Sequence, residues 1–220
     1  MSLLIPLYVH PAEDPGAWHR LIGAASDTYA VILNPAGGPG PAPDPAFTAA
    51  AAALRAAGAR LLGYVDTDYG ARSPAEVTAD IVRYREWYGT DGCFLDQVTA
   101  SPDGLAACRR LVRAVRRLGA APVVLNPGVH PAPGYARLAD LVVTFEGHWS
   151  TYVSAFSRPA WTSRHPAERF CHLVYGVPEA LVPLAVRTAG ERGAGVSGPV
   201  TGELPNPWAE LTPALVETER

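Results

Sequence analysis

Apolar residues gather in eight short runs along the chain: Leu3–Val9, Tyr29–Leu33, Arg60–Val65, Gly92–Leu95, Pro122–Leu125, Leu141–Phe145, Phe170–Tyr175 and roughly Gly195–Val200. Most are nearly continuous in hydrophobicity rather than alternating. A strand that reads this way is covered on both faces, the condition of a parallel sheet. Longer helical patterns separate them. Asp44–Ala57 is alanine-rich. Ser73-Pro74-Ala75-Glu76 is a capping box with proline at the first helical position, and predicts a helix to about Tyr88. Ser101-Pro102-Asp103-Gly104 opens another to Leu118, and Pro178–Arg192 is the next. Asn206-Pro207-Trp208 repeats the cap-then-proline signal and predicts a last helix to about Glu217.

Eight strands in 220 residues leave about 27 residues per strand–helix unit. The expected fold is one compact (β/α)8 TIM barrel of the α/β class, a single domain over residues 1–220. A doubly wound open sheet is the alternative. It calls for a Gly-x-Gly-x-x-Gly turn after the first strand, and His10-Pro11-Ala12-Glu13-Asp14-Pro15 stands there instead.

In such barrels the chemistry sits at the C-terminal ends of the strands. The residues that follow the apolar runs are Tyr8 and His10, Asn34, Asp66 and Tyr69, Asp96 and Gln97, Asn126, Glu146, Tyr175, then Thr201 and Glu203. Asn34 and Asn126 each precede proline, which holds the backbone extended and aims the amide; turn initiation is the competing role. In Phe94-Leu95-Asp96-Gln97, strand alternation allows only one of the two polar side chains to face the axis, and Asp96 is expected there. A carboxylate walled by strands has its pKa raised and suits acid–base work; an ion pair with Arg72 is the alternative. Phe145-Glu146-Gly147-His148-Trp149 supplies a second carboxylate two strands away. Trp149, with Tyr152, offers a stacking platform, or else packs under the loop. Two carboxylates with aromatic walls are what glycoside hydrolysis requires.

Composition narrows the chemistry further. All 18 basic residues are arginine, so a Schiff-base, phosphate-loop or general-base lysine is excluded. A net charge of −3 gives no basic excess for nucleic acid. No run approaches the 18 or so apolar residues of a membrane span. Prolines at 39 and 41 remove amide donors from the Gly37–Pro41 stretch, which disfavours phosphate binding there. The six histidines show no His-x-x-x-His spacing, and neither a metal nor another cofactor is expected. Cys93, Cys108 and Cys171 are odd in number and lack a Cys-x-x-Cys pair; buried free thiols in a reducing compartment are expected. The start, Met1-Ser2-Leu3-Leu4-Ile5-Pro6, has no basic n-region or cleavage site. The expected location is cytoplasmic as the sequence stands, and extracellular if a leader has been removed. Oligomeric state stays open.

One ordered set of motifs runs through residues 3 to 205: Ile5-Pro6-Leu7-Tyr8, Ile32-Leu33-Asn34-Pro35 with Gly38-Pro39-Gly40, Gly63-Tyr64-Val65-Asp66-Thr67-Asp68-Tyr69-Gly70-Ala71-Arg72, Phe94-Leu95-Asp96-Gln97, Asn126-Pro127-Gly128 and Phe145-Glu146. Together they resemble the spherulin-4-like family, spherulation-specific family 4. The resemblance implies a (β/α)8 fold and kinship with microbial glycoside hydrolases that cut α-1,4-linked galactosamine or N-acetylgalactosamine exopolysaccharide. It implies Asp96 and Glu146 as catalytic acids. Gln97 departs from the family's usual Asp-Glu pair; glutamine has glutamate's shape but exchanges no proton. The expected substrate is therefore an amino-sugar carbohydrate, with Tyr8, Asn34, Tyr64, Asp66, Tyr69, Gln97, Asn126 and Trp149 as binding residues. Asp96 is expected as nucleophile or stabiliser and Glu146 as acid/base, or with the roles exchanged. A non-catalytic carbohydrate-binding barrel is the second reading. The third is a lyase or isomerase with an arginine clamp such as Arg72 in the barrel mouth.

Overall fold

Each apolar run forms a strand. In the computed structural model, which describes residues 1–25 and 28–212, these are β1 (Ser2–Pro6), β2 (Thr28–Leu33), β3 (Leu61–Asp66), β4 (Gly92–Asp96), β5 (Val123–Leu125), β6 (Leu141–His148), β7 (Phe170–Tyr175) and β8 (Val196–Pro199). Each pairs in parallel with the next, and β8 returns to β1 through Ser2–Val196 and Leu3–Ser197, closing the barrel.

Among the described residues six α-helices lie outside: α1 (Pro15–Gly23), α2 (Pro45–Ala56), α3 (Pro74–Tyr88), α4 (Leu105–Arg117), α5 (Trp149–Ala155) and α6 (Val182–Glu191). Three begin alike. Asp14, Asp44 and Ser73 accept hydrogen bonds from first-turn amides, and proline follows each at a position whose N–H has no helical partner. Ser73 and Glu76 complete the reciprocal capping box. The hydrophobic pattern did not predict α1 or α5. A single 3-10 turn, Pro133–Arg137, stands where a helix would follow β5.

The predicted last helix does not begin at Asn206. Residues 206–212 are turns and irregular chain, and 213–217 lie outside the described residues. The Asn206 side chain accepts from the Trp208 amide at 3.3 Å, which makes a turn rather than a helix cap.

Strand alternation sorts the core into two layers. Leu4, Ile32, Leu62, Phe94, Val124, Leu141 and Leu173 fill the barrel. Ile5, Val31, Leu33, Leu61, Cys93, Leu95 and Leu125 face the helices. Each such large side chain removed from water contributes about 1.5–3 kcal/mol. Gly63 in β3 lets α3 approach: a Cβ there would stand 2.4 Å from the Tyr84 ring. The three cysteines are buried and unpaired. Burial pushes the Cys93 and Cys108 thiols up to about 12, so neither forms a thiolate near neutral pH.

One irregularity positions chemistry. The pairing of β6 with β7 slips between Val143 and Phe145. Leu141 and Val143 face the barrel interior, and unbroken alternation would send Phe145 inward after them. The slip instead turns Phe145 outward, against Tyr152 at 4.6 Å, and turns Glu146 into the barrel mouth.

Candidate active site

A cleft of about 580 Å³ opens at the C-terminal end of the barrel, as the fold requires. Asp96 from β4, Asn126 after β5 and Glu146 from β6 meet on its floor. The Asn126 side-chain nitrogen donates to Asp96 Oδ1 at 2.7 Å and to Glu146 Oε2. Its oxygen accepts from the Gly128 amide at 3.0 Å, which fixes which end of the amide faces the acids. Tyr64, on the inner face of β3, donates its hydroxyl to Asp96 Oδ2 at 2.7 Å. With both N–H groups of Asn126 spent on the carboxylates, the two acids are tied to one donor.

Their environments differ. Burial raises both pKa values, because desolvation disfavours the charged form. Glu146 is pushed up to about 7; the Asn126 hydrogen bond works against burial, and the Asp96 charge adds to it. Asp96 is also raised by burial, but hydrogen bonds from Tyr64, the Gln97 backbone and Asn126 oppose the rise. Near neutral pH, Glu146 is therefore poised to hold and release a proton, and Asp96 has the donors that favour a carboxylate. Burial and the two nearby acids raise Tyr8 well above the usual phenol range, so it stays protonated. Its ring lies edge-on to Tyr64 at 5.8 Å.

Asp96 and Gln97 both line the cleft, against the expectation that only one would face it. β4 ends at Asp96, and Gln97 adopts a left-handed backbone with φ 51°, which breaks the alternation. Thr67 Oγ1 and the Tyr69 amide both donate to the Gln97 carbonyl, at 2.9 and 2.8 Å, and hold that turn. Tyr69 is itself left-handed, with φ 50°, and 65% exposed on the rim.

Tyr8, Tyr64, Tyr69, Gln97 and Asn126 thus line the cleft with the two acids. Three residues expected there do not. Asn34 accepts from the Gly38 amide at 3.0 Å and closes a turn. Asp66 Oδ1 accepts from the Asp68 amide at 2.7 Å, within its own loop. Trp149 packs in the outer cluster around Tyr152, 6.1 Å away, because the β6 slip placed its neighbours outside the barrel. Arg72 does not pair with Asp96. It bonds Asp80 at 2.7 Å and the Asp66 carbonyl at 2.7 Å, and no arginine is among the described residues that line the cleft.

The far wall went unread in the sequence. Leu204 to Trp208 folds over the barrel mouth, and the Trp208 carbonyl accepts from the Tyr8 amide at 2.7 Å. Trp208 is 7% exposed and meets Tyr175 edge-on at 6.5 Å. The available signal was an aromatic residue in a proline-rich stretch just past the eighth strand.

Residues 2–195 match the family described as Spherulation-specific family 4. Spherulin-4 of Physarum polycephalum is 34% identical over 172 residues, which cover 76% of this chain and 50% of that protein. The chain thus spans half the length of this curated relative. Among solved structures, Aspergillus clavatus Sph3 in complex with GalNAc superposes with a TM-score of 0.83 at 28% identity, covering 98% of this chain and 94% of that one. A chitinase from Rhizomucor miehei shares the fold alone, with a TM-score of 0.58 at 11% identity over 95% of this chain and 98% of that one.

Proposed function

The chain belongs to spherulation-specific family 4, and from that premise we propose that it is a glycoside hydrolase acting on a polymer or oligomer containing galactosamine or N-acetylgalactosamine. The likeness to Sph3 with its bound GalNAc supports a glycoside hydrolase or carbohydrate-binding role. The observation that carries the catalytic reading is the Asp96–Asn126–Glu146 bridge at the cleft floor. Two oxygens bonded to one nitrogen stand no more than about 5 Å apart. That spacing fits the retaining arrangement, whose carboxyl groups are about 5–5.5 Å apart, rather than the wider inverting one.

In this mechanism protonated Glu146 gives its proton to the glycosidic oxygen as that bond breaks. Asp96 attacks the anomeric carbon and forms a covalent glycosyl ester. Water then attacks the same carbon, Glu146 takes the water's proton, and Asp96 leaves as a carboxylate. Tyr64 and Asn126 hold Asp96 in place. Tyr8, Gln97, Tyr69 and Trp208 wall the sugar.

Incubation with acetylated and deacetylated galactosamine oligomers, read by mass spectrometry, tests the reading. Shorter products are expected from the native chain and not from Asp96→Asn or Glu146→Gln. Unchanged hydrolysis by both variants would show the assignment to be wrong. Gln97, standing where the family usually has glutamate, favours a second reading: a barrel that binds the sugar without cleaving it. That reading predicts binding without turnover, and recovery of cleavage in Gln97→Glu.

A further inference from the structure

A second cavity, of about 290 Å³, opens beside the cleft between the loops that follow β3 and β4. Tyr69 lines both spaces and so links them. Its backbone is fixed by hydrogen bonds, while the residue is 65% exposed. Tyr69 donates its amide to the Gln97 carbonyl at 2.8 Å, and Gly70 donates to the Thr67 carbonyl at 2.9 Å. An exposed aromatic on a fixed, left-handed backbone gains little from the protein's own interior. It offers instead a flat apolar face between two concave sites.

The two spaces carry opposite charge. The cleft is lined by Asp96 and Glu146, with no basic side chain among the described residues. The second cavity is lined by Arg72 and Arg110, with no acidic side chain among the described residues. Asp80 bonds Arg72 from behind at 2.7 Å and neutralises part of that charge. Arg110 lies exposed on α4. Val98, Ala107 and Leu111 add apolar lining. A guanidinium donates hydrogen bonds and accepts none, so it favours carbonyl or carboxylate oxygens and repels an ammonium.

We propose that this second cavity binds the neighbouring unit of the same sugar chain, crossing Tyr69, and that it selects a unit bearing an N-acyl or acidic group over one bearing a free amine. The proposal rests on the reading of the main cleft as a sugar site.

Calorimetric titration of the Glu146→Gln protein with N-acetylgalactosamine oligomers of increasing length, and with their deacetylated counterparts, tests it. Two exposed positions on α4 serve as probes: Ala107→Trp fills the cavity, and Arg110→Glu reverses its charge. Affinity is expected to rise with length. Ala107→Trp should weaken the longer acetylated oligomers by about tenfold, the scale of one lost subsite contact, and leave the shortest unchanged. Arg110→Glu should narrow the preference for acetylated over amine-bearing chains. Circular dichroism of each variant separates these outcomes from misfolding. Affinity that is independent of length, or that neither variant changes, would overturn the second site and leave the first intact. No binding of any oligomer would overturn the main-cleft reading and this one with it.

Discussion

The ends of β4 and β6 each deliver one carboxylate to the same cleft, and the fold treats them differently. Asp96 receives hydrogen bonds from Tyr64, from Asn126 and from the Gln97 backbone. Glu146 receives one from Asn126, has no other side-chain partner among the described residues, and is pushed up to about 7. Burial acts on both in the same direction, so the difference lies in the donors. Two similar side chains acquire different proton affinities because one strand end is rich in N–H and O–H groups and the other is poor in them.

Removing either acid should break the contrast most severely. Asp96→Asn and Glu146→Gln should each lower kcat by about 10²–10⁴-fold, measured on defined oligomers. The double variant should lose little more than the worse single one, because the two act as a unit. Next comes the pH profile of kcat/KM. In the proposed mechanism Glu146 must carry its proton, so activity should fall as pH rises through about 7. Asp96 must be ionised, so activity should also fall on the acid side, at a pH above the ordinary aspartate range because burial has raised its pKa. A single-limbed profile would contradict the division of labour.

The donors can then be removed one at a time. Asn126 donates to both acids, so Asn126→Ala should move both limbs of the profile to higher pH and lower activity about ten- to a hundredfold. Tyr64 donates to Asp96 alone, so Tyr64→Phe should move only the acid limb upward, with a loss of about tenfold. Gly63→Ala touches neither acid. It should cost about 1–3 kcal/mol in a denaturant titration, since its Cβ would meet the Tyr84 ring, and leave the pH profile unchanged.

The barrel was legible because parallel strands buried on both faces write themselves as unbroken apolar runs. Asp96, Asn126 and Glu146 were legible because they are the polar residues that end three of those runs. What the pattern missed has local causes. α1 carries the same signal as α2, an aspartate and then a proline, but it is short. Asn206-Pro207 carries a comparable signal and folds as a turn, because Trp208 is drawn to the barrel mouth instead of onto a helix face. Alternation, the rule that placed Asp96, fails one residue later at Gln97 and again between Val143 and Phe145. A left-handed residue and a strand slip leave little trace in hydrophobicity, yet they aim Gln97 and Glu146 and send Trp149 away from the cleft.

The wall formed by Leu204 to Trp208 follows β8 in the chain, while the tyrosine amide it grips, at Tyr8, follows β1. The two halves of that contact therefore come from opposite ends of the described chain. The sheet itself is complete with β8, which ends at Pro199. The barrel alone would hold Asp96, Asn126 and Glu146 in a groove open on one side. Closing the sheet and walling the cleft are thus separate structural tasks, and the second falls to five residues that belong to no strand or helix.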